Sequence, residues 1–448
     1  MTQEKTDNAA EVPAEAAHVD NDGHYLKAVA EVGDTRKLAV TQSIHAANGT
    51  KLLDVGATLS SRTLERLVGH KLATPIENNL AAEGTLRVGE IVGRTRELID
   101  RHALLAQFAT ASGGAGRLLN HLVQAPLPHN ILFRLTVARE KFTRLYDHSL
   151  RAAFVALFIG STARLGERDL ELLATAALMH DFGMLLADPA RFEDDRPLDA
   201  AARRQLRAHP VTGMLIAQRE PQLNPAIATA ILQHHERLDG SGYPTAPAAD
   251  EITRLARILM LVEVVLAMVE HRPHLPELQL SLILRANHRG FDRALAGILL
   301  SALPRLQVNA DAAASGANTV ARLGHLLEQW ERVQISTAIG LPQEVRQFVN
   351  ERLSRLRRFL TEAGIDPQAG AAHLCADDVT ANAELAGLMS EALWNVRQIA
   401  FETTLRWPHI TGDDNAKDTV DPALQAWLRA ASEPLGAGAT EPAAALAA

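Results

Sequence analysis

Two pairs of adjacent polar residues each end an apolar stretch of the chain. One pair is His234 and His235, which a glycine-rich turn follows, and the other is His180 and Asp181. A histidine or a carboxylate at the end of a buried helix loses its water and needs a polar partner or a cation. Adjacent residues of a helix point about 100° apart, so both can reach one metal only near a helix end. The two pairs therefore predict a metal site that several helices assemble.

A further candidate ligand, Glu263, lies in the middle of the apolar run 258–268. The helical period places apolar residues on every side of it. An unpaired carboxylate in such surroundings is strongly destabilising or takes up a proton, so Glu263 needs a partner. We predict that this partner is a metal; the alternative is a buried ion pair with Arg257 or Arg272.

His148 and His209 complete the set of candidate ligands. Taken singly, each is also compatible with an ordinary exposed or capping histidine. Imidazoles and carboxylates without a thiolate suit iron, manganese, zinc and similar metals, whereas calcium prefers oxygen ligands. A carboxylate that bridges two such metals is the usual arrangement for activating water against a phosphoryl group. We expect two divalent transition metals as cofactors, with iron or manganese as the first choice.

The composition restricts the class of protein. The chain has 448 residues, of which 47% are hydrophobic and 22% charged, and its net charge is −8. These values fit a globular protein and disfavour binding to a nucleic-acid polymer, which needs a basic face. The single cysteine, Cys375, excludes an internal disulfide framework. With no signal-peptide pattern and no apolar run long enough to span a bilayer, we expect a cytoplasmic protein without membrane insertion.

The pattern of apolar residues indicates a mainly α protein with a small N-terminal α+β module and a C-terminal helical region. We expect a hairpin in the module, with Asn48 and Gly49 as the turn between apolar runs at 38–40 and 51–55. The expected segments are, in order, a disordered stretch 1–35, the module 36–90, a helical domain 91–305, a helical region 318–406 and a disordered tail 431–448. We expect the region 318–406 to serve packing or the formation of a homodimer.

An ordered series of motifs lies between residues 142 and 275: HSLR at 148–151, HDFG at 180–183, HPVTG at 209–213, HHERLDGSGYP at 234–244, and Arg272-Pro273. This series resembles the HD-GYP family, the branch of the HD metal-dependent phosphohydrolases that degrades cyclic di-GMP in bacterial signalling. The pair His180-Asp181 alone is a weak indication, whereas the complete string 234–244 downstream of it is a strong one. The resemblance implies a helical HD-type metal phosphohydrolase domain.

The resemblance also implies a role for each matching residue. The first metal would be held by His148, His180, Asp181 and Glu263, and the second by His209, His234 and His235, with Asp181 bridging. His180 and Asp181 would be the catalytic pair, and a hydroxide held between the metals would attack phosphorus to give pGpG or GMP. Arg272, Gly242 and Tyr243 would bind the substrate. In the family, the loop that contains Tyr243 is also linked to partners with GGDEF domains.

Several positions depart from the family pattern. Glu263 stands where an aspartate is usual, Met184 where a lysine is usual, Leu266 in place of an aspartate and Leu275 in place of a basic residue. The ligand set is thus nearly intact, while the substrate-binding set is partly replaced. We favour a working cyclic di-GMP phosphodiesterase. The alternatives are a degenerate HD-GYP signalling protein that binds cyclic di-GMP or a partner protein without hydrolysis, and a phosphohydrolase that acts on another nucleotide.

Overall fold

A computed structural model describes residues 23–64, 66–82, 84–188, 200–271, 276–287, 289–303, 316–336, 342–362, 383–407 and 422–432. Arg272 and Leu275 lie outside these residues, as do 1–22 and 433–448 of the segments 1–35 and 431–448 that we expect to be disordered. The prediction of a disordered tail is wrong for residues 431 and 432, which end a helix.

The described residues are mainly α-helical, as predicted. The helices are α1 (Gly23–Thr35), α2 (Ser61–Leu64), α3 (Val88–Asp100), α4 (Ala103–Ala111), α5 (Ala115–Gln124), α6 (His129–Lys141), α7 (Thr143–Thr162), α8 (Glu167–Met179), α9 (Ala200–Gln218), α10 (Pro225–Gln233), α11 (Arg254–His271), α12 (Pro276–Ala286), α13 (Arg293–Ala302), α14 (Gly316–Ser336), α15 (Gln343–Glu362), α16 (Ala383–Arg406) and α17 (Pro422–Ser432). The strands are β1 (Leu38–Val40), β2 (Ile44–His45), β3 (Lys51–Leu53), β4 (Thr58–Leu59) and β5 (Leu80–Ala82).

The chain divides into two compact units. The first consists of the described residues within Met1–Pro189, Gln205–Leu266 and Arg289–Ala302, and the second of those within Ala190–Arg204, Ala267–His288 and Leu303–Ala448. The first unit therefore contains both the small N-terminal module and most of the helical domain that follows it.

The prediction that residues 1–35 are disordered is wrong for 23–35, which form α1. Tyr25, Leu26, Val29 and Val32 of this helix are buried, and their spacing follows the helical period. The acidic, alanine-rich segment before α1 conceals this short amphipathic pattern when the composition of all 35 residues is averaged. Burial of one apolar face, rather than overall composition, is what stabilises the helix.

The predicted hairpin exists, but its strands differ from the prediction. Asn48 and Gly49 lie between β2 and β3, which pair antiparallel, and Gly49 has the positive φ of 85° that such a turn requires. The run 38–40 is instead β1, the central strand of a separate antiparallel sheet with the order β4-β1-β5. The strand β2 has only two residues and gives no clear apolar pattern in the sequence. The pattern therefore favours the longer run 38–40 as the partner of the run 51–55.

The helices that carry the candidate ligands form the core of the first unit. α7 packs along α8, and α8 also contacts α10. α10 begins with Pro225 at its first turn, where the side chain of Asn224 accepts a hydrogen bond from the amide of Ala226 at 2.9 Å. The end of α10 is tied to the start of α11, because Gln233 accepts from the amide of Thr253 at 3.0 Å.

The second unit has its own hydrophobic core, which α14, α15, α16 and α17 supply. Trp330 and Trp427 lie at its centre with ring centroids 4.9 Å apart, and both are buried. Each indole donates a hydrogen bond, Trp330 to Oδ1 of Asn350 at 2.8 Å and Trp427 to the carbonyl of Leu326 at 3.0 Å. Satisfied indole groups of this kind fix the packing of a helical core.

Among the residues that the structure describes, no helix combines the length and the apolar character needed to cross a membrane.

A buried ion pair joins the N-terminal module to α6 within the first unit. Nη2 of Arg134 lies 2.6 Å from Oε1 of Glu77, and the two side chains are only 8% and 1% exposed. The guanidinium of Arg134 also lies over the ring of Tyr25, 4.7 Å from its centroid. Removal of one member of such a pair leaves the other charge buried without compensation.

We expect Glu77→Gln to lower the free energy of unfolding by about 3–5 kcal/mol, because Arg134 then keeps an uncompensated buried charge. Chemical denaturation of the single variant and of the double variant Glu77→Leu/Arg134→Met measures this. The double variant should recover most of the loss, since two apolar side chains can replace a buried pair at little cost. A single variant as stable as the wild type would contradict the expectation.

Candidate metal centre

The structure brings all seven predicted ligands together in the core of the first unit. They come from five helices, and each is buried, with an exposed fraction of 5% or less. The seven are His148 on α7, His180 and Asp181 just after α8, His209 on α9, His234 and His235 just after α10, and Glu263 on α11.

The seven side chains form two groups with Asp181 between them. One atom from each of His148, His180 and Glu263 lies within 4.8 Å of the others, and the same holds for Asp181 with the remaining three histidines. Oδ2 of Asp181 lies 3.5 Å from Nε2 of His148 and 3.4 Å from Nε2 of His180. Oδ1 lies 3.1 Å from Nε2 of His209. The carboxylate therefore faces both groups, one oxygen to each.

Backbone carbonyls hold three of the histidines in one tautomer. Nδ1 of His180, His209 and His234 each lies within hydrogen-bond distance of a carbonyl three residues earlier: Ala177 at 2.8 Å, Leu206 at 2.5 Å and Ile231 at 2.6 Å. A carbonyl only accepts, so Nδ1 carries a proton in each of these rings, and Nε2 has a lone pair when the ring is neutral. Histidines that bind metals are typically oriented in this way.

Proline explains why this contact is available inside α9. Pro210 lies within the helix and has no amide hydrogen to donate to the carbonyl four residues before it, which is that of Leu206. The neighbouring His209 donates to this carbonyl instead. His209 thus provides the imidazole, and Pro210 leaves open the carbonyl that orients it.

The spacing of the ring nitrogens fits a bound cation. Nε2 of His209 and Nε2 of His234 lie 3.1 Å apart, although both carry lone pairs in the tautomer described above. A metal that bound both nitrogens at about 2.1 Å would hold them at a separation of roughly 3 Å. Two facing lone pairs repel each other unless a cation lies between them.

Several buried acceptors of the centre also lack a hydrogen-bond partner. They are Oδ1 of Asp181, Nε2 of His235 and both carboxylate oxygens of Glu263. A buried acceptor without a partner is destabilising, so these atoms fit a role as metal ligands. The donor set and its unsatisfied atoms are what two divalent transition metals would require.

Arg257, one of the two alternative ion-pair partners of Glu263, does not account for its burial. Arg257 instead pairs with Asp292, its Nη1 lying 3.3 Å from Oδ2. Arg272 lies outside the described residues. Oε1 of Glu263 lies 3.1 Å from Nε2 of His180, inside the first group of ligands. The glutamate is thus long enough to reach the centre from α11.

His180 and the adjacent pair His234 and His235 have opposite preferences for a proton. Burial alone would lower the pKa of His180, but the carboxylates of Asp181 and Glu263 raise it well above its usual value. Burial lowers the pKa of His234, and burial together with the neighbouring His234 and His209 holds the pKa of His235 well below its usual value. His234 and His235 therefore favour the neutral imidazole, whereas a metal that binds His180 must displace its proton.

The glycine-rich turn after His235 is held by Glu236, whose role the sequence did not reveal. Oε1 of this buried carboxylate accepts from the amide and the hydroxyl of Thr245, at 2.7 and 2.9 Å, and from the amide of Ala246 at 3.1 Å. The turn places the ring of Tyr243 against that of His235, with centroids 4.8 Å apart and an interplanar angle of 17°. Glu236 therefore fixes the predicted substrate-binding residue Tyr243 beside a predicted ligand.

Two glycines allow the close approach of backbone around the centre. A Cβ atom on Gly183 would lie 2.1 Å from the carbonyl oxygen of His209, and one on Gly242 would lie 2.3 Å from Cα of Glu236. Gly242 was predicted to bind substrate, and the structure adds this steric reason for its identity. Gly183 is not among the predicted site residues, although its position two residues after Asp181 is a local indication that it lies near the centre.

The positions that depart from the family pattern differ in their exposure. Met184 is half-buried and directly follows Gly183, so its side chain is partly accessible. Leu266 is fully buried on α11. Arg272, predicted to bind a substrate phosphate, cannot be placed because it lies outside the described residues, and the same applies to Leu275.

Comparison with known proteins gives consistent matches. The family model of the HD domain matches residues 135–295. The chain is 28% identical over 216 residues to 3'3'-cGAMP-specific phosphodiesterase 3 of Vibrio cholerae, covering 46% of each protein. It is 26% identical over 259 residues to the cyclic di-GMP phosphodiesterase PA4108 of Pseudomonas aeruginosa, covering 56% of this chain and 61% of the relative.

A third relative is the cyclic di-GMP phosphodiesterase response regulator RpfG of Xanthomonas campestris, with 28% identity over 125 residues, or 28% of this chain and 33% of the relative. The chain thus spans about half the length of the first two relatives and less of the third. These matches confirm the predicted HD-GYP resemblance, which lies in the region that matches the HD domain model.

Proposed function

We propose that the protein is a metal-dependent phosphodiesterase that hydrolyses a cyclic dinucleotide. The observation that carries this proposal is the buried carboxylate of Asp181, which faces a group of ligand atoms with each of its oxygens. Sites that hold two metals through a shared carboxylate suit the hydrolysis of phosphate esters. The match of residues 135–295 to the HD domain supports the same reaction class.

The chain's own residues would prepare the centre for this reaction. Two divalent metals, when bound, lower the pKa of water and neutralise charge on the phosphate. The carbonyls of Ala177, Leu206 and Ile231 engage Nδ1 of their histidines, so that Nε2 is the ring atom that can bind a metal. Burial of the ligands excludes bulk water and strengthens the electrostatic contacts inside the centre. Tyr243, stacked on His235, would contact the substrate from one side.

Among cyclic dinucleotides we propose cyclic di-GMP, with pGpG or GMP as the product. Two of the relatives are named as cyclic di-GMP phosphodiesterases and one as specific for 3'3'-cGAMP. Both compounds present the same type of phosphodiester to the metals, so a direct comparison of the two substrates decides between them. Iron or manganese as the metals, a cytoplasmic location, GGDEF-domain partners and a homodimer stay predictions from the sequence.

A second candidate function is that of a signalling protein that binds cyclic di-GMP or a partner protein without hydrolysing the nucleotide. It is favoured by Met184, which places a partly accessible apolar side chain directly after Gly183, where the family pattern has a lysine. A thioether cannot form the charge-assisted contact to a phosphate that an ammonium group forms.

We expect Asp181→Ala to reduce the turnover of cyclic di-GMP by about a hundredfold or more, since it removes the carboxylate that both groups share. Separation of the products from protein loaded with manganese or iron measures this. Asp169→Ala is the matched control, because Asp169 is exposed on α8 and its loss should leave turnover unchanged. Turnover at the wild-type rate in the Asp181 variant would refute the mechanism.

We expect Gly183→Ala to weaken binding of one metal while the other is retained. The added methyl group would collide with the backbone of His209 and move that ring from Oδ1 of Asp181, whereas His148, His180 and Glu263 keep their positions. Metal analysis should show a drop from about two to about one metal per chain, with affinity at the second site about 10–100-fold lower.

Gly297→Ala serves as the control for that variant, because a Cβ atom at Gly297 has no atom within 4 Å. It should bind two metals like the wild type. Equal metal content in both alanine variants would show that the approach of α9 to Gly183 does not position His209.

We expect Met184→Lys to lower the KM for cyclic di-GMP by about tenfold, because it restores a cation where the family pattern has one. Steady-state kinetics at full metal loading measures the change, and Met184→Leu controls for loss of the thioether. A lysine variant with the kinetics of the wild type would show that residue 184 does not face the substrate.

A further inference from the structure

The position of His148 depends on the position of α7. His148 is the sixth residue of this helix, and its Nε2 lies 3.1 Å from Nε2 of His180 and 3.5 Å from Oδ2 of Asp181. A set of ligands works only when each member is held within roughly 0.5 Å and 10–20° of the required geometry. A small rotation of α7 about its axis would therefore move His148 out of the first group of ligands.

An ion pair from α3 holds the residue next to this ligand. Nε of Arg94 donates to Oδ1 of Asp147 at 3.0 Å, and Nη2 of Arg94 donates to Oδ2 at 2.7 Å. Nη1 of Arg94 donates to Oε2 of Glu97, one turn further along α3, at 2.9 Å. Two parallel N–H···O bonds fix the plane of a carboxylate as well as its distance from the guanidinium. The contact therefore restrains the rotation of α7 as well as its separation from α3.

The direction of Asp147 determines the direction of His148. Successive residues of a helix point about 100° apart, so a helix that turns Asp147 toward α3 must turn His148 toward another side. α7 contacts α8 as well as α3, and His180 and Asp181 directly follow α8. The helix thus carries its contact with α3 and its predicted metal ligand at adjacent positions.

A cavity beside the ion pair gives this contact its importance. The cavity has a volume of about 260 Å³ and is lined by residues of α3, α6 and the start of α7, together with the residue two before α3: Leu86, Glu90, Arg94, Arg139, Thr143, Tyr146 and Asp147. Close packing fixes a helix only where side chains fill the space next to it. At this cavity the ion pair, rather than side-chain packing, connects the start of α7 to α3.

We propose that Arg94 is a positioning residue that, through its paired hydrogen bonds to Asp147, keeps His148 in the first group of metal ligands. The inference rests on the metal centre of the proposed function. It adds a residue from outside the HD domain match, which begins at residue 135. The side chains of Arg94 and Asp147 are 30% and 14% exposed, so solvent screening limits what the pair contributes to overall stability. Its loss should therefore affect metal affinity more than stability.

The test measures metal binding by full-length wild type, Arg94→Gln and Asp147→Asn, by calorimetric titration of metal-depleted protein with Mn²⁺. We expect one of the two binding steps to weaken about tenfold in each variant, which is a usual effect of losing a residue that orients a metal ligand. The other step should stay that of the wild type. The double variant should bind like either single variant, because the two residues act through one contact. Arg94→Lys should fall between Arg94→Gln and the wild type, since it keeps the charge and loses the fork.

Arg139→Gln is the matched control. It removes the same charge from the wall of the same cavity, at a similar side-chain exposure of 23%. Arg139 pairs with Glu90 of α3 at 3.1 Å and with Glu140 of α6 at 2.9 Å, and both partners lie outside α7. Its metal titration should match that of the wild type, and its melting temperature should be close to that of Arg94→Gln. Equal weakening of metal binding in both glutamine variants would show a general effect of charge or stability and would overturn the assignment.

Failure of the inference and failure of the proposed function give different results, because the titration needs no substrate. If Arg94→Gln binds both metals as tightly as the wild type, the inference is overturned, whether or not the protein hydrolyses cyclic di-GMP. Weakening in Asp147→Asn alone would also overturn it. If the wild type binds two metals without hydrolysing a cyclic dinucleotide, the proposed function fails, and a weakened step in Arg94→Gln still supports the positioning role. In an active protein, the Mn²⁺ concentration for half-maximal turnover should rise by the same factor as the Kd.

Discussion

A buried carboxylate surrounded by buried imidazoles is the constraint on which the rest of the first unit depends. Asp181 is 4% exposed, and its two oxygens face separate groups of ligand atoms. A buried charge of this kind is tolerated only with compensation from close range. Five helices must therefore end or pass at one point, and the packing of α7, α8 and α10 in the core achieves this.

The local chemistry of helix ends makes such a point easy to build. The last carbonyls of a helix lack intrahelical donors, and a histidine three residues further on can supply one. His180 and His234 do so after α8 and α10, and His209 does so inside α9, where Pro210 removes the usual donor. Each ring is then oriented by its own helix before any metal binds. Pre-orientation of this kind reduces the entropy lost when the ligands converge.

The site was more accessible to prediction than the fold of the N-terminal module. Polar residues that interrupt or end apolar helices are local signals, and all seven predicted ligands lie in the centre. In contrast, the helix α1 escaped prediction because its apolar face is short, and β1 was paired with the wrong strand because β2 has two residues. The roles of Glu236 and Gly183 depend on contacts with the backbone of Thr245 and His209. These residues are separated from them along the chain, so a local sequence pattern does not predict the contacts.

The sequence by itself determined the residue types of the centre, their positions at helix ends, the helical class of the domain and its resemblance to a family. These follow from periodicity, polarity and motif order, all of which are local along the chain. Only the tertiary structure decided that the carboxylate of Asp181 faces both groups, that His209 approaches Gly183 within backbone contact, and that Glu236 holds the turn that carries Tyr243. The reason is that these relations join separate helices, and their distances depend on how the whole core packs.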